Sequence, residues 1–224
     1  MLGLQIRQRQ RAVKLALAQK FLAVPVANVS DCMSRLFDGG ANLRPMHRGD
    51  SMSGPAFTVK VRPGDNLMIH KAVEMAHPGD VIVVDGGGDL TNALVGEIMT
   101  SVASYRQLAG MVIYGAVRDA AALKESSFPV FAAGVTHRGP YRDGPGEINT
   151  SIAINGMVIE PGDLIIGDGD GVLCVPYDQA DAIYLAAIAK GALEMRMLKN
   201  IQSGGYTATW VDETLVRLNC AIEL

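Results

Sequence analysis

Three Pro-Gly-Asp triplets, at 63–65, 78–80 and 161–163, punctuate the chain, and the last two each open an apolar run that ends in Asp-Gly, 81–86 and 164–169. Proline presets φ at the first corner of a β-turn and glycine takes the positive φ at the second, so each triplet reads as a tight turn. A tight turn that feeds a short apolar run predicts a strand buried on both faces. One turn chemistry used repeatedly accounts for the pattern without an internal repeat. Further strands are expected at 54–62, 111–114, 129–133, 151–154, 157–159 and 172–175.

Helices fill the intervals. Asp65 is placed to cap a helix over 66–76, and a long helix is expected from Asp178 to about Asn200. Asn28 or Ser30 can cap a short helix through Asp31 to Leu36, ended by Gly39-Gly40. The first 24 residues read as an amphipathic helix whose Leu4, Val13, Leu15, Leu17 and Phe21 pack on the body or on a neighbouring subunit, with Pro25 as its break. Gly204-Gly205 sets off a tail, 204–224, that holds the sole tryptophan, Trp210. The expected organisation is therefore an N-terminal helix (1–24), one α/β body (25–203) and the tail. Strands alternate with helices in the middle and come in pairs later, which predicts layers of α, β and β instead of a regular doubly wound sheet.

Composition narrows the function. A net charge of −3 carries no general affinity for nucleic-acid phosphates. Cys32, Cys174 and Cys220 are odd in number, scattered and without a Cys-x-x-Cys pair, so neither a disulfide framework nor a zinc site is expected, and a reducing cytoplasm is the expected location. No apolar run approaches the roughly 20 residues that span a bilayer. Arg7, Arg9, Arg11, Lys14 and Lys20, with no acid before Asp31, form a pattern that can mark an organellar transit peptide; an amphipathic helix explains it as well.

Chemistry concentrates after the second Pro-Gly-Asp strand. Gly86-Gly87-Gly88 invites a dinucleotide reading, but the glycines are contiguous and lack the spacing a phosphate cradle requires. Gly96-Glu97-Ile98-Met99 reads as a helix start, where open N–H groups and the positive end of the helix dipole hold a carboxylate. After Glu97 and an interval of twenty residues, 98–117, come Arg118 and Asp119, at the end of a predicted strand. Arg118 can fork onto a carboxylate and an adjacent keto oxygen, a geometry lysine does not reproduce. Asp119 alone makes no metal cage, yet Mg²⁺ keeps several waters and often takes one or two protein carboxylates, so one aspartate plus a chelating α-keto acid suits it better than zinc. Among the histidines, His47, His70, His77 and His137 show no paired metal spacing, though His70 and Lys71 could approach a substrate. Arg138 and Arg142 could gather at a subunit edge or recognise a distal substrate carboxylate.

The succession Gly79 to Gly88, Val95 to Ser101 and Ile113 to Asp119, with an acid, twenty residues and then Arg-Asp, resembles the pyruvate-type class II aldolases. These are the 4-hydroxy-4-methyl-2-oxoglutarate aldolases, which share a fold with the regulator of ribonuclease activity A. The resemblance runs from about Val26 to about Asn200. It implies the layered α/β/β swivelling-domain fold of that RraA-like family and assembly as homotrimers or homohexamers. It also implies a lyase that cleaves a 4-hydroxy-2-oxo diacid to pyruvate and decarboxylates oxaloacetate as a side activity. Substrate binding falls to Gly96, Glu97, Arg118 and the backbone amides of Ile98 and Met99; the metal, Mg²⁺ or Mn²⁺ or another divalent ion, falls to Asp119. Glu97, where the family often has aspartate, is expected to manage a proton without touching the metal. Glu194 is the match to a glutamate that family aldolases bring from a neighbouring subunit. The alternative the resemblance allows is a non-catalytic regulator that binds ribonuclease E. No nucleic acid and no membrane is expected as a partner.

Overall fold

The computed structural model describes residues 3–49 and 51–221. By internal contacts it divides into two units, Met1–Ala187 and Ile188–Leu224. The boundary falls inside the long helix, before the residue 203 expected from the sequence.

The first unit is built on a large mixed sheet. Its elements are β1 (Leu4–Ile6), α1 (Leu15–Phe21), α2 (Val26–Cys32), β2 (Arg44–Pro45), β3 (Met52–Val61), α3 (Leu67–Met75), β4 (Val81–Asp85), β5 (Ala93–Val95), α4 (Glu97–Tyr105), β6 (Gly110–Val117), α5 (Ala120–Glu125), β7 (Val130–Val135), β8 (Gly146–Ile148), β9 (Ile152–Ile154), β10 (Met157–Ile159), β11 (Leu164–Asp168) and β12 (Gly171–Val175). The strand order is β1-β8-β3-β4-β6-β7-β2, with β5 added to β6, β11 to β3 and β12 to β11, while β9 and β10 form a separate hairpin. β3, β4, β6 and β7 run parallel.

Alternation along the central strands produces the layers. Ile82 and Val84 of β4, with Val59 and Ile113, pack against Ile69 and Val73 of α3 and Ala103 of α4. Val81 and Val83 face the other way, onto Ile152, Ile154, Met157 and Ile159 of the hairpin and Ile165 of β11. Each fully buried Val or Ile contributes about 1.5–3 kcal/mol, so a strand apolar at every position is stable only between two covering layers. A third cluster joins Phe21 of α1 and Val29 of α2 to Leu164, Ile166 and Val175. This is the mixed α/β architecture in layers that the strand and helix pattern predicts.

The three Pro-Gly-Asp turns share one geometry. Gly64, Gly79 and Gly162 have φ of +77°, +87° and +94°, and each aspartate N–H bonds the carbonyl three residues back. All three aspartates are buried: Asp65, Asp80 and Asp163 are 0%, 1% and 3% exposed.

Two local expectations are corrected. The described part of the expected 1–24 helix, residues 3–24, is not one helix: β1 adds to β8, residues 7–14 run without helix, and only Leu15–Phe21 coils. The intervening backbone is held by the body, Arg7 N–H to the Ile148 carbonyl at 3.0 Å and Val13 N–H to the Gly162 carbonyl at 2.9 Å, and Arg9 ion-pairs with buried Asp80 at 2.7 Å. Those bonds outweigh the helical periodicity of the isolated segment. The second helix starts earlier than expected, with Pro25 at its N-cap and Asp168 accepting from Val26 N–H at 2.9 Å, so neither Asn28 nor Ser30 caps it.

The second unit contains the C-terminal part of α6 (Ala180–Gln202) and α7 (Thr209–Arg217), a helix within the segment expected as a tail. No helix among the described residues is long and apolar enough to cross a membrane.

Candidate active site

β5 and β6 lie side by side and parallel, with Val95 in register with Val117. The residues that follow, Gly96 and Arg118, are therefore neighbours at the carboxyl ends of adjacent strands, where open parallel sheets bind their ligands. The twenty-residue interval is the length of α4 and the return strand. Arg118 N–H continues the ladder to the Val95 carbonyl at 2.9 Å.

Asp119 then takes the left-handed conformation, φ 59° and ψ 39°. This conformation is uncommon for a residue with a side chain, and aspartate is among the residues that tolerate it. Its Oδ2 accepts from Glu97 N–H at 3.0 Å and lies 3.7 Å from Arg118 Nε. No described residue donates to Oδ1. Arg118 and Asp119 side chains are each 40% exposed.

Gly96 fits this arrangement because it has no Cβ. A Cβ there would stand 2.5 Å from Asp119 Oδ2 and 2.8 Å from Arg118 Cγ. The φ of Gly96, −148°, is ordinary extended backbone, so the constraint is space alone. Gly139 is close in a similar way, its would-be Cβ 3.3 Å from Arg118 Nη1.

α4 begins at this point. Glu97 N–H is taken by Asp119, and the Met99 and Thr100 N–H groups both bond the Gly96 carbonyl at 3.1 Å. The Ile98 N–H has no acceptor among the described residues. Of the two amides expected to hold a carboxylate, Ile98 is open, and Met99 is engaged in the first helical turn.

A cleft of about 80 Å³ opens beside these residues, lined by Gly96, Ile98, Met99 and Arg118 together with Asn66, His70, Pro140 and Arg142. Glu97 and Asp119 stand outside that lining, at the exposed rim. Asn66 Nδ2 donates to the Leu94 carbonyl at 3.0 Å, while its buried Oδ1 lacks a partner among the described residues. The His70 pKa is lowered from 6.5, first by partial burial and then by the positive charge of Arg142, which favours the neutral ring. Asn66 gave no signal in the sequence, because its place depends on a contact to β5, 28 positions away. Arg142 enters the cleft, whereas Arg138 is not among its lining residues.

Glu194 lies in the second unit, on α6, where it ion-pairs with Lys190 at 3.2 Å. It is not among the residues that the first unit gathers at the cleft.

Among the described residues no group of three or more His, Cys, Asp or Glu is arranged to hold a metal. One hard carboxylate oxygen, Asp119 Oδ1, is open at the rim. That donor set fits a hard cation that retains water and takes further oxygens from a ligand; it does not fit a closed tetrahedral site.

Fold and cleft together define an α/β protein in which a helix start with an open Ile98 N–H lies beside a paired Arg-Asp at the ends of two parallel strands. The chain belongs to the RraA-like family, described as Aldolase/RraA, whose model matches residues 26–174. It is 40% identical over 173 residues to a protein of Halalkalibacterium halodurans named "Putative 4-hydroxy-4-methyl-2-oxoglutarate aldolase", covering 77% of this chain and 82% of that one. Among solved structures it is similar to a Pseudomonas syringae protein, with a TM-score of 0.77, 27% identity and coverage of 87% and 96% of the two chains. It is also similar to the RNA-processing inhibitor RraA from Thermus thermophilis, with a TM-score of 0.63, 28% identity and coverage of 68% and 92%.

Proposed function

We propose that this protein is a divalent-metal-dependent lyase that cleaves a 4-hydroxy-2-oxo diacid, such as 4-hydroxy-4-methyl-2-oxoglutarate, to pyruvate and a second carbonyl compound. The observation that carries the reading is the packing of Arg118 and Asp119 against Gly96, with the guanidinium and the open Ile98 N–H belonging to residues that line one small cleft and the open carboxylate oxygen at its rim. The H. halodurans relative supports it by its name.

The α-carboxylate of the substrate docks at the start of α4, on the Ile98 N–H and the positive end of the helix. Arg118 donates to the keto oxygen and to the enolate oxygen it becomes, a fixed charge of the kind that dominates many such reactions. Asp119 would hold a divalent ion, Mg²⁺ or Mn²⁺, which when bound would supply further positive charge to stabilise the enolate. Cleavage takes the proton from the C4 hydroxyl, breaks C3–C4, leaves the electron pair on the pyruvate enolate and returns a proton to C3. Glu97, exposed beside Asp119, is the group that moves these protons. Arg142, the second guanidinium of the cleft, meets the distal carboxylate, so two cations face the two anions of a diacid. Oxaloacetate yields the same enolate by losing CO₂ and is the expected side substrate.

The site is completed by a neighbouring copy in a homotrimer or homohexamer, and Glu194 is the candidate residue it contributes. α4 supports this assembly, because Ile98, Val102 and Tyr105 recur at helical spacing on its outer face, 76%, 45% and 89% exposed. Light scattering is expected to give a trimer or hexamer mass, and a fully active monomer at assay concentration would remove Glu194 from the mechanism.

The decisive experiment is exchange of pyruvate methyl protons with deuterated water, followed by NMR with Mg²⁺ present. Wild type is expected to exchange, and Glu97→Gln to slow exchange by roughly 10²–10⁴. Equal exchange in both would place the base elsewhere. Absence of both exchange and pyruvate release in the wild type would favour a regulator of ribonuclease, the reading that the Thermus structure supports.

A further inference from the structure

The three Pro-Gly-Asp turns are equivalent in backbone and differ in what their aspartates hold. In two of them the carboxylate closes the turn on itself: Asp80 accepts from His77 N–H at 2.8 Å and Asp163 from Glu160 N–H at 3.0 Å. Asp65 makes no such bond. Its Oδ1 accepts from Leu67 N–H at 3.0 Å, at the start of α3, and its Oδ2 accepts from Asp143 N–H at 2.6 Å and Gly144 N–H at 2.9 Å. The N–H it forgoes, that of Arg62, reaches instead to the Pro145 carbonyl at 3.3 Å.

The segment so held is the loop that carries Arg142. Tyr141 N–H bonds the Gly64 carbonyl at 2.8 Å and Asn66 N–H bonds the Tyr141 carbonyl at 3.0 Å, so Arg142 sits between two tethers to the same turn. Arg62 adds a third, its guanidinium 3.3 Å from Asp65 Oδ2 and 5.9 Å from the centre of the Tyr141 ring. Upstream, the Arg138 carbonyl accepts from Ala93 N–H at 2.8 Å, and Asn66 Nδ2 ties the turn to Leu94 of β5. Arg142 itself is exposed, and no hydrogen bond or ion pair holds its side chain among the described residues. Its position is set by the backbone on either side of it.

We propose that Asp65 is a positioning residue for substrate specificity: by clamping the Asp143 and Gly144 amides it holds Arg142 at the cleft, where Arg142 selects ligands with a second carboxylate. This rests on the aldolase reading of the cleft. A buried carboxylate suits the task because its two oxygens accept from several donors at once, and charge-assisted bonds to backbone N–H groups are short and strong. An asparagine has one carbonyl oxygen, so it serves either the α3 start or the loop and turns an NH₂ toward the other.

The test compares two readouts on the purified full-length protein with Mg²⁺: pyruvate release from 4-hydroxy-4-methyl-2-oxoglutarate, and pyruvate methyl-proton exchange, which involves no second carboxylate. Asp65→Asn is expected to lower kcat/KM for the diacid ten- to hundredfold, mainly through KM, while exchange falls less than threefold. Arg142→Ala is expected to lower diacid kcat/KM to a similar degree, and Asp65→Asn combined with it to add little, because the two act as one unit. If Asp65→Asn fails to fold, Arg62→Gln keeps the carboxylate and its backbone bonds but removes the guanidinium tether; a loss of about three- to tenfold, confined to the diacid and again absent on the Arg142→Ala background, is then expected. Equal loss of both activities, or losses from the two sites that multiply, would overturn the proposal while leaving the aldolase reading intact. A wild type inactive in both assays would overturn both.

Discussion

Asp65 and Asp119 stand at two loops that frame one cleft, and they are used in opposite ways. Asp65 is fully buried, with backbone donors on both oxygens, whereas Asp119 is 40% exposed and leaves Oδ1 without a protein donor. A carboxylate saturated by the protein has nothing left to offer a ligand, and its removal strands buried N–H groups at about 1–3 kcal/mol each. A carboxylate held by one bond is oriented and still available. The difference separates a carboxylate that holds the cleft from one that stays available at its rim, and that contrast can be broken at several points.

The largest effect is expected at Asp119. Asp119→Asn removes the charge that would hold a cation and is expected to abolish metal-dependent turnover, a loss of at least about 10³ on the scale of removed catalytic charge. Because the side chain is half-exposed and accepts one hydrogen bond, the urea midpoint is expected to stay close to wild type. Turnover that persists and remains sensitive to chelator would remove Asp119 from the metal site.

Gly96→Ala comes next. Its backbone angles suit alanine, so the fold is expected to be retained, but the new methyl would overlap Asp119 Oδ2 and Arg118 Cγ. A displacement near 1 Å in a reacting constellation costs about 10² in rate. Steady-state kinetics beside circular dichroism decides the matter: unchanged kinetics would mean that Arg118 and Asp119 work equally well when pushed apart.

Much of the cleft was legible in the sequence for a physical reason. Gly96 and Arg118 meet because a strand, a helix and a return strand of fixed length place them in register, and that length is written in the chain as an interval. The Pro-Gly-Asp turns are legible too, since proline and glycine fix φ locally. Features that rest on distant partners were not legible. Residues 7–14 carry helical periodicity yet lie without helix, because Ile148, Gly162 and Asp80 bind them. β8 is three residues long and exists by pairing with β1 and β3. Arg142 could be weighed for a distal carboxylate, but only the tethers to Gly64, Asp65 and Asn66 bring it to the cleft. The Met99 amide shows the converse: a helix start reads as open donors until the first turn forms and consumes some of them.

The smallest expected effect belongs to His70. Its folded pKa is lowered from 6.5 by partial burial and by Arg142, so the folded protein disfavours the imidazolium. Above 6.5 the ring is neutral in both folded and unfolded chains and stability is unaffected. As pH falls below 6.5 the unfolded chain takes the proton first, and stability declines until the pH passes the folded value. Global stability sums over every titrating group, so the ring must be followed directly. NMR titration of His70 is expected to give a midpoint below 6.5 in wild type and a shift back toward it in Arg142→Ala, which removes the charge and leaves the burial. An identical midpoint in both would mean that the Arg142 guanidinium points away from the cleft in solution, and the contrast between a clamped loop and an open rim would lose the residue that links them.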